Sequence, residues 1–475
     1  MANILVITNS ANRLYDIAFN NFGRNNHYYI HAINTNTDSI LFEIQNHLKY
    51  RDIKFSAADN IKLNKLSEIE ARELYIKLIR DLPKKNIVDN KSFNDLLTIS
   101  NRNYWWYLPI SEKNIWVDKT IHRIYEIIRL KNLLSNNEYS QICCYIDDSL
   151  LLEIFSKIAL NKRIYFNNKS SIKNKIKKHL SIVIFIRNYY INVIKAFLSI
   201  LIKKLLILYF GRKINKDIEK NSIGIFSMYP LFWKDLDTDS PRNIFLNSLP
   251  YEIAKKYKVT HIVWLTPWME LISNRKILHK QINSNKIYIL ENNIKLKDIL
   301  LLFTLFKVLV SLLLRNNKLD IYLLDGINIT CIIYDELLRS LSSPTYFQAY
   351  LIDKALQETK LSNLKLFIFR LEFQPHERSI LYNTNKIVKS VGFQHSALSK
   401  NFLNYIFMND ELAEHWREKN DTSSMPLPDY IFTSGKIGFD YMSNAGYPED
   451  NLFICGGIRY YDLRKNMHLM PPKSQ

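Results

Sequence analysis

The chain has 475 residues, 47% of them hydrophobic, and 65 Lys and Arg against 45 Asp and Glu give it a net charge of +20. The length excludes a single small domain, and the hydrophobic share excludes global disorder, leaving two or three units with cores of their own. The positive surplus favours an anionic partner: phospholipid, nucleotide-linked substrate or nucleic acid. Nucleic acid is set aside, because zinc-finger spacing, an RNP-like aromatic strand and a P-loop are all missing. Heavy use of Asn, Lys, Ile and Tyr is also the bias of an AT-rich genome, which accounts for part of the charge.

The start, Met1-Ala2-Asn3-Ile4-Leu5-Val6-Ile7-Thr8, has neither the basic opening nor the long apolar core of a signal peptide. It reads as a first buried strand, and the chain is expected to stay in the cytoplasm. Cys143 and Cys144 are adjacent, with Cys331 and Cys455 far away, which fits neither a disulfide framework nor a metal site. All four read as buried apolar fillers. A second apolar run, Gln141 to Ile146, ends at Asp147-Asp148-Ser149 and leads into a helix from Leu150 to Leu160. This strand–turn–helix rhythm predicts an N-terminal α/β region over 1–165.

From 166 to 220 the texture changes. No acidic residue stands between Glu153 and Asp217, and Lys173, Lys175, Lys177 and Lys178 lead into an apolar stretch from Leu180 to Phe210. At helical pitch Arg187, Asn188, Asn192, Lys195, Ser199 and Lys203 share one arc, while Ile194, Phe197, Leu201 and Leu208 occupy the other side. This is a basic amphipathic helix, of the type that lies in the headgroup layer of an anionic membrane surface. A helix packed on the protein's own core is the rival. Spanning is disfavoured, because each interior Lys or Arg would cost about 2.5–3.5 kcal/mol at mid-bilayer. The stretch from Ile299 to Leu314 is short for a span and reads as a buried helix or a second monolayer contact.

A second α/β region is expected over 221–460. Strands are read at Ile223–Ser227, Thr260–Leu265, Lys286–Leu290, Asp320–Leu324, Leu366–Leu371, Lys386–Phe393, Asp429–Thr433 and Leu452–Cys455. In open parallel sheets ligands bind beyond the carboxyl ends of strands, and the last four ends carry the chemistry. They supply Glu372, Gln374, His376 and Glu377; Gln394, His395, Ser396 and Lys400; Gly435; and Gly456, Gly457 and Arg459. Gln, His, Glu and Ser together make a carbohydrate-binding rim, with a carboxylate suited to deprotonating an acceptor hydroxyl. Glu372 and Glu377 also suit a helix cap, and His395 a histidine fixed by the backbone. Gly456-Gly457 fits either a tight turn or a backbone approach to phosphate aided by Arg459. Tyr104-Trp105-Trp106-Tyr107 suits sugar stacking or core packing.

At these residues a resemblance appears. Gly392-Phe393-Gln394-His395-Ser396, Pro428 to Gly435, and Gly446-Tyr447-Pro448 leading to Gly456-Gly457-Ile458-Arg459-Tyr460 resemble, in order and spacing, bacterial surface-carbohydrate (capsule and O-antigen) biosynthesis proteins of GT-B glycosyltransferase type. Glu372 to Glu377, Trp105 with Ser111 to Asn114, and Ser227 to Trp233 look like further elements of that family. The resemblance implies Rossmann-like parallel sheets of GT-B type, here with a basic amphipathic helical insertion. It implies no metal and no cofactor beyond a nucleotide-sugar co-substrate, with Glu372, Glu377 and His395 as catalytic candidates. Gln374, His376, Gln394, Ser396, Lys400, Gly435, Gly456, Gly457 and Arg459 would bind substrate. In GT-B enzymes the Gly-x-x-Arg-Tyr element precedes a nucleotide domain; here a linker-like tail over 461–475 follows instead. The C-terminal nucleotide domain is therefore expected to be missing: the chain is a truncated form of such an enzyme, a partner protein supplies the donor domain, or the analogy to the family misleads.

The reading is a surface-polysaccharide glycosyltransferase, peripheral on the inner face of the cytoplasmic membrane, transferring sugar from a nucleotide-sugar donor to a lipid-linked glycan acceptor. The alternatives are a non-catalytic acceptor-binding or assembly subunit and a nucleotide-sugar 2-epimerase-like enzyme.

Overall fold

The structure is a computed structural model that describes residues 2–9, 26–33, 39–41, 43, 54–58, 61–88, 91–99, 102–168, 172–210, 217–230, 233–234, 242–265, 268–276, 287–302, 322–324, 326–399, 401–408, 410–412 and 424–460. The chain forms two compact units, each gathered from separate segments. Unit 1 takes Met1–Ile79, Ile115–Arg187 and Leu312–Leu338, and unit 2 takes Arg80–Asn114, Asn188–Ser311 and Arg339–Gln475.

Unit 1 is built on five parallel strands: β1 (Asn3–Thr8), β2 (His27–Ala32), β3 (Lys54–Ala57), β4 (Gln141–Tyr145) and β5 (Tyr165–Asn168), in the order β3-β2-β1-β4-β5. Ile4, Leu5, Val6 and Ile7 are all buried, as a central parallel strand covered on both faces requires. Among the helices are α1 (Ile61–Asp81), α2 (Thr120–Asn136) and α3 (Ser149–Asn161). The expected Asp147-Asp148-Ser149 turn is the cap of α3: Asp148 Oδ1 accepts from the amides of Leu150 (3.0 Å) and Leu151 (3.2 Å). Its other oxygen holds Arg123 at 2.8 Å, and Arg123 also reaches Asp335 at 2.7 Å. Inside the unit, buried His31 meets Glu126 at 3.0 Å; burial lifts Glu126 to about 8 and holds His31 well below its usual range.

Helix α4 (Ile172–Phe210) follows, its residues from Asn188 onward belonging to unit 2. Its amphipathicity is real, but much of its polar arc faces inward. Lys203 is buried, donating to Glu291 (2.9 Å) and to the Leu265 carbonyl, and Asn192 donates to the Ser342 carbonyl at 2.7 Å. Tyr189, Val193, Ile200 and Ile207 complete the buried seam at steps of four, seven and seven residues. On the opposite side Ile194, Leu198, Leu201, Leu205 and Leu208 are 44–70% exposed. Among the described residues no helix is long and apolar enough to cross a membrane. Of the second apolar stretch, Ile299 and Leu302 are buried and Leu300 and Leu301 exposed; its remainder lies outside the described residues.

Unit 2 carries seven parallel strands: β6 (Ser222–Tyr229), β7 (Val259–Leu265), β8 (Ile287–Ile289), β9 (Leu364–Leu371), β10 (Lys389–Gln394), β11 (Tyr430–Thr433) and β12 (Leu452–Ile454). Their order is β8-β7-β6-β9-β10-β11-β12. The chain therefore builds outward from β6 on one side, then returns to build outward from β9 on the other. That reversal is the doubly wound α/β arrangement, and its ligand crevice lies beyond the ends of β6 and β9. Helices α5 (Thr330–Leu341, assigned to unit 1 as far as Leu338) and α6 (Pro344–Gln357) precede β9 in the chain, α7 (Pro375–Thr384) joins β9 to β10, and α8 (Lys436–Asn444) joins β11 to β12.

Two sequence expectations are corrected here. Of Asp320–Leu324 only Leu323–Leu324 forms a strand, paired antiparallel with Ile327–Asn328 around Gly326 at φ +80°, and it joins neither large sheet. Residues 320–321 lie outside the described residues. Cys143 and Cys144 are buried, but Cys331 is only half-buried and Cys455 is exposed, because β12 is the edge of its sheet.

Candidate active site

At the end of β9, Arg370 is a half-buried cation, whereas the strand's other cation, Lys365, is exposed near its start; Arg370 organises the turn that follows. Its guanidinium donates to Gln374 Oε1 (2.7 Å) and to Glu377 Oε1 (3.2 Å). Gln374 caps α7, and Glu377 closes the capping box: its Oε2 accepts from the amides of Glu372 (2.7 Å) and Gln374 (3.2 Å). Glu377 thus has a structural task at the site; burial nonetheless pushes it up to about 7 against the pull of Arg370. Between them Phe373 sits at φ +55°, a left-handed conformation that costs about 1–2 kcal/mol for a residue with a side chain. Ring contacts with Tyr405, Phe407 and Tyr447 hold it there.

This strained turn presents Glu372 to the end of β10. Glu372 Oε1 lies 3.1 Å from His395 Nε2 and accepts the Ser396 hydroxyl, while Oε2 accepts from Gln374 Nε2 at 3.0 Å. Asn404 fixes the Glu372 carbonyl at 2.7 Å, and the Tyr405 hydroxyl fixes that of Leu371 at 2.8 Å. Gln394 ties the next strand in: its Nε2 donates to the Ser396 carbonyl, and its Oε1 accepts from the amide and hydroxyl of Ser434, each at 2.9 Å. Gly438 of α8 permits this, since a Cβ there would stand 2.9 Å from Gln394 Oε1. The Phe245 ring packs edge-on to His395 (4.4 Å), with Arg370 and Arg459 at 4.7 and 5.4 Å from it.

Burial, reinforced by Arg370 and Arg459, holds His395 down to about 3, so its ring is neutral. With Nε2–H donated to Glu372, the lone pair stands on Nδ1, which is buried and has no hydrogen-bond partner among the described residues. The ring is thus held as a neutral hydrogen-bonding group, and the Glu372 carboxylate beside it is the group that can take a proton from a hydroxyl. Arg370 and Arg459 supply the positive charge a phosphate would need. Beside them, at the end of β6, Ser227, Asn243, Phe245, Arg370, His376 and Glu377 line a slot of about 10 Å³, the size of one water.

The structure thus brings Glu372, Gln374, Glu377, Gln394, His395, Ser396 and Arg459 together. His376 lies buried in the slot wall, and burial followed by Arg370 holds it down to about 3. Gly435 is the N-cap position of α8, and its carbonyl accepts the Thr433 hydroxyl at 3.2 Å. Gly456, at φ +81°, and Gly457 form the turn after β12 that carries Arg459. Lys400 lies outside the described residues. The aromatic run Tyr104 to Tyr107 is core: all four rings are buried, and the Tyr107 hydroxyl donates to Asp353 at 3.1 Å. Beneath the site the fully buried Arg378 of α7 donates to the Trp106 carbonyl (3.1 Å) and to Ser111 Oγ (2.6 Å) and O (3.1 Å). Sequence reasoning missed Arg370 and Phe245. A cation inside a strand of a parallel sheet was the available signal for the first, because buried charges are paired; Phe245 had none.

These histidines make stability sensitive to acid. Each has a folded pKa of about 3 against an ordinary 6.5, so its contribution is present above 6.5 and lost as pH falls from there towards 3. At pH 5 the loss is about 2 kcal/mol for each. Glu377, raised to about 7, runs the other way: its contribution is full below 4.5 and lost as pH rises through 7. His395→Gln should remove one histidine term alone. In urea denaturation at pH 7.5 and pH 5, the variant should lose about 2 kcal/mol less than the parent between the two.

The chain matches no protein-family model, no curated protein and no solved structure.

Proposed function

We propose that the chain is a glycosyltransferase of bacterial surface-polysaccharide assembly, peripheral on an anionic membrane, acting on a lipid-linked glycan acceptor. The observation that carries this reading is the Glu372–His395–Ser396 cluster, flanked by Arg370 and Arg459, beside the reversal of strand order. In this reading Glu372, positioned by His395 and Ser396, deprotonates an acceptor hydroxyl, and the two arginines face phosphate. The parallel sheets support the GT-B assignment, with unit 2 as the acceptor side. The test incubates the chain with CMP-, UDP- and GDP-sugars and a lipid-linked oligosaccharide in vesicles. Label transferred to lipid supports the enzyme, and acceptor binding without turnover supports an acceptor half that needs its partner. Neither binding nor transfer would sink the reading.

Membrane contact is assigned to the exposed stripe of α4, which lies within the acid-free segment between Glu153 and Asp217. Leu201→Asp with Leu205→Asp should abolish flotation with vesicles containing phosphatidylglycerol. The melting temperature should stay within a degree or two, because exposed positions contribute little to stability.

A further inference from the structure

Unit 2 contains a second, larger space that the candidate active site does not use. A cavity of about 450 Å³ lies between α4, α6 and the ends of β6 and β7. Its size falls in the range of about 300–1,000 Å³ typical of small-molecule sites. Met228, Trp264, Leu265, Phe347, Leu351 and Ile200 give it largely apolar walls. The cations are unequal. Lys203 is buried and already matched to Glu291 at 2.9 Å, so it adds no net charge. Lys195 is exposed, and Asn192 and Ser199 lie with it on the same helix face.

The placement narrows the ligand. Ala196, Ser199 and Ile200 of α4 face the cavity, while Ile194, Leu198 and Leu201, at intervening positions of the same helix, are exposed. One helix, about 10–12 Å across with its side chains, therefore separates an apolar cavity from an exposed apolar face. We infer that the cavity takes the apolar chain of an anionic amphiphile, a lipid phosphate drawn from the membrane surface, with Lys195 meeting the phosphate. An apolar cavity of this kind favours hydrocarbon over water, and an ammonium with neighbouring amide and hydroxyl donors suits a phosphate head. The inference deepens the proposed function by giving the lipid part of the acceptor a seat. It rests on that reading for its role, but not for the binding itself.

The experiment titrates the full chain with dodecyl phosphate below its micelle concentration by calorimetry, with inorganic phosphate and dodecyl maltoside as controls. One equivalent should bind, at least tenfold more tightly than inorganic phosphate. Ser199→Trp, which fills the cavity, should weaken dodecyl phosphate at least tenfold. Lys195→Gln should weaken it three- to tenfold and leave dodecyl maltoside unchanged. Hydrogen exchange on the unaltered chain gives a readout that needs no variant: dodecyl phosphate should slow exchange over residues 192–203 and 344–351. Absence of binding, undiminished binding to a folded Ser199→Trp, or protection confined to other segments would each overturn the inference. Amphiphile binding without any glycosyl transfer would remove the proposed activity and leave the cavity assignment standing. Transfer to a lipid-linked acceptor at full rate by Ser199→Trp would do the reverse.

Discussion

Glu372→Gln should lower glycosyl transfer by about 10²–10⁴-fold, the usual contribution of a positioned proton acceptor, while acceptor affinity and melting temperature stay close to those of the parent. The amide keeps an oxygen for His395 Nε2–H and Ser396, which now lie at 3.1 Å and in direct hydrogen bond to Oε1. It removes the negative charge that takes the proton, and it exchanges the Oε2 acceptor of Gln374 Nε2 for an amide nitrogen. Ser396→Ala separates roles within the cluster. Its hydroxyl donates to Glu372 without standing on the proton path, so a loss below about tenfold is expected, in line with a single hydrogen bond of about 0.5–1.5 kcal/mol. Rate and KM measured for both variants with one lipid-linked acceptor decide the matter. Equal losses would move the base elsewhere.

Arg378→Met should destabilise unit 2 by about 3–5 kcal/mol, the range for breaking a buried charge arrangement from one side. The guanidinium is fully buried, and its three hydrogen bonds satisfy the carbonyls of Trp106 and Ser111 and the Ser111 hydroxyl. Glu112, also buried, faces it and would be left with less compensation; burial already raises that carboxyl above its usual range. Arg378→Lys should recover little, since an ammonium cannot reproduce the planar fork that spans these acceptors. Arg459→Met, at an exposed position, should leave urea denaturation unchanged within about 0.5 kcal/mol.

The strands were legible where they are central. Parallel strands buried on both faces are continuous apolar runs, so Asn3–Thr8, Leu364–Leu371 and Lys389–Gln394 stand out in the sequence within a few residues of their observed limits. The run Asp320–Leu324 has the same texture in the sequence, but its described strand, Leu323–Leu324, pairs locally, because Gly326 lets the chain fold back at once. In α4 periodicity revealed two faces but not their orientation. That depends on Glu291, a buried carboxylate 88 residues from Lys203, which draws the lysine inward. The candidate site was legible as a set of strand ends, and those ends do converge. What could not be read was the division of labour, with Glu377 committed to a capping box and Glu372 left to face His395. Of the four residues between these glutamates, the left-handed Phe373, whose supporting rings come from 405, 407 and 447, and the N-cap Gln374 set that difference.

The order in which the seven-stranded sheet is assembled has a consequence for synthesis. Strand β6 pairs with β7 soon after both emerge from the ribosome, but its other neighbour, β9, begins only at Leu364. At ~5–20 residues per second the far edge of β6 waits roughly seven to thirty seconds for its partner. That edge belongs to a strand in which seven of eight residues become buried, so during this interval it is an open template for pairing with other nascent chains. Yield should therefore respond to translation rate and to chaperones that shield exposed strands. Fragments ending before Leu364 should be recovered as aggregates.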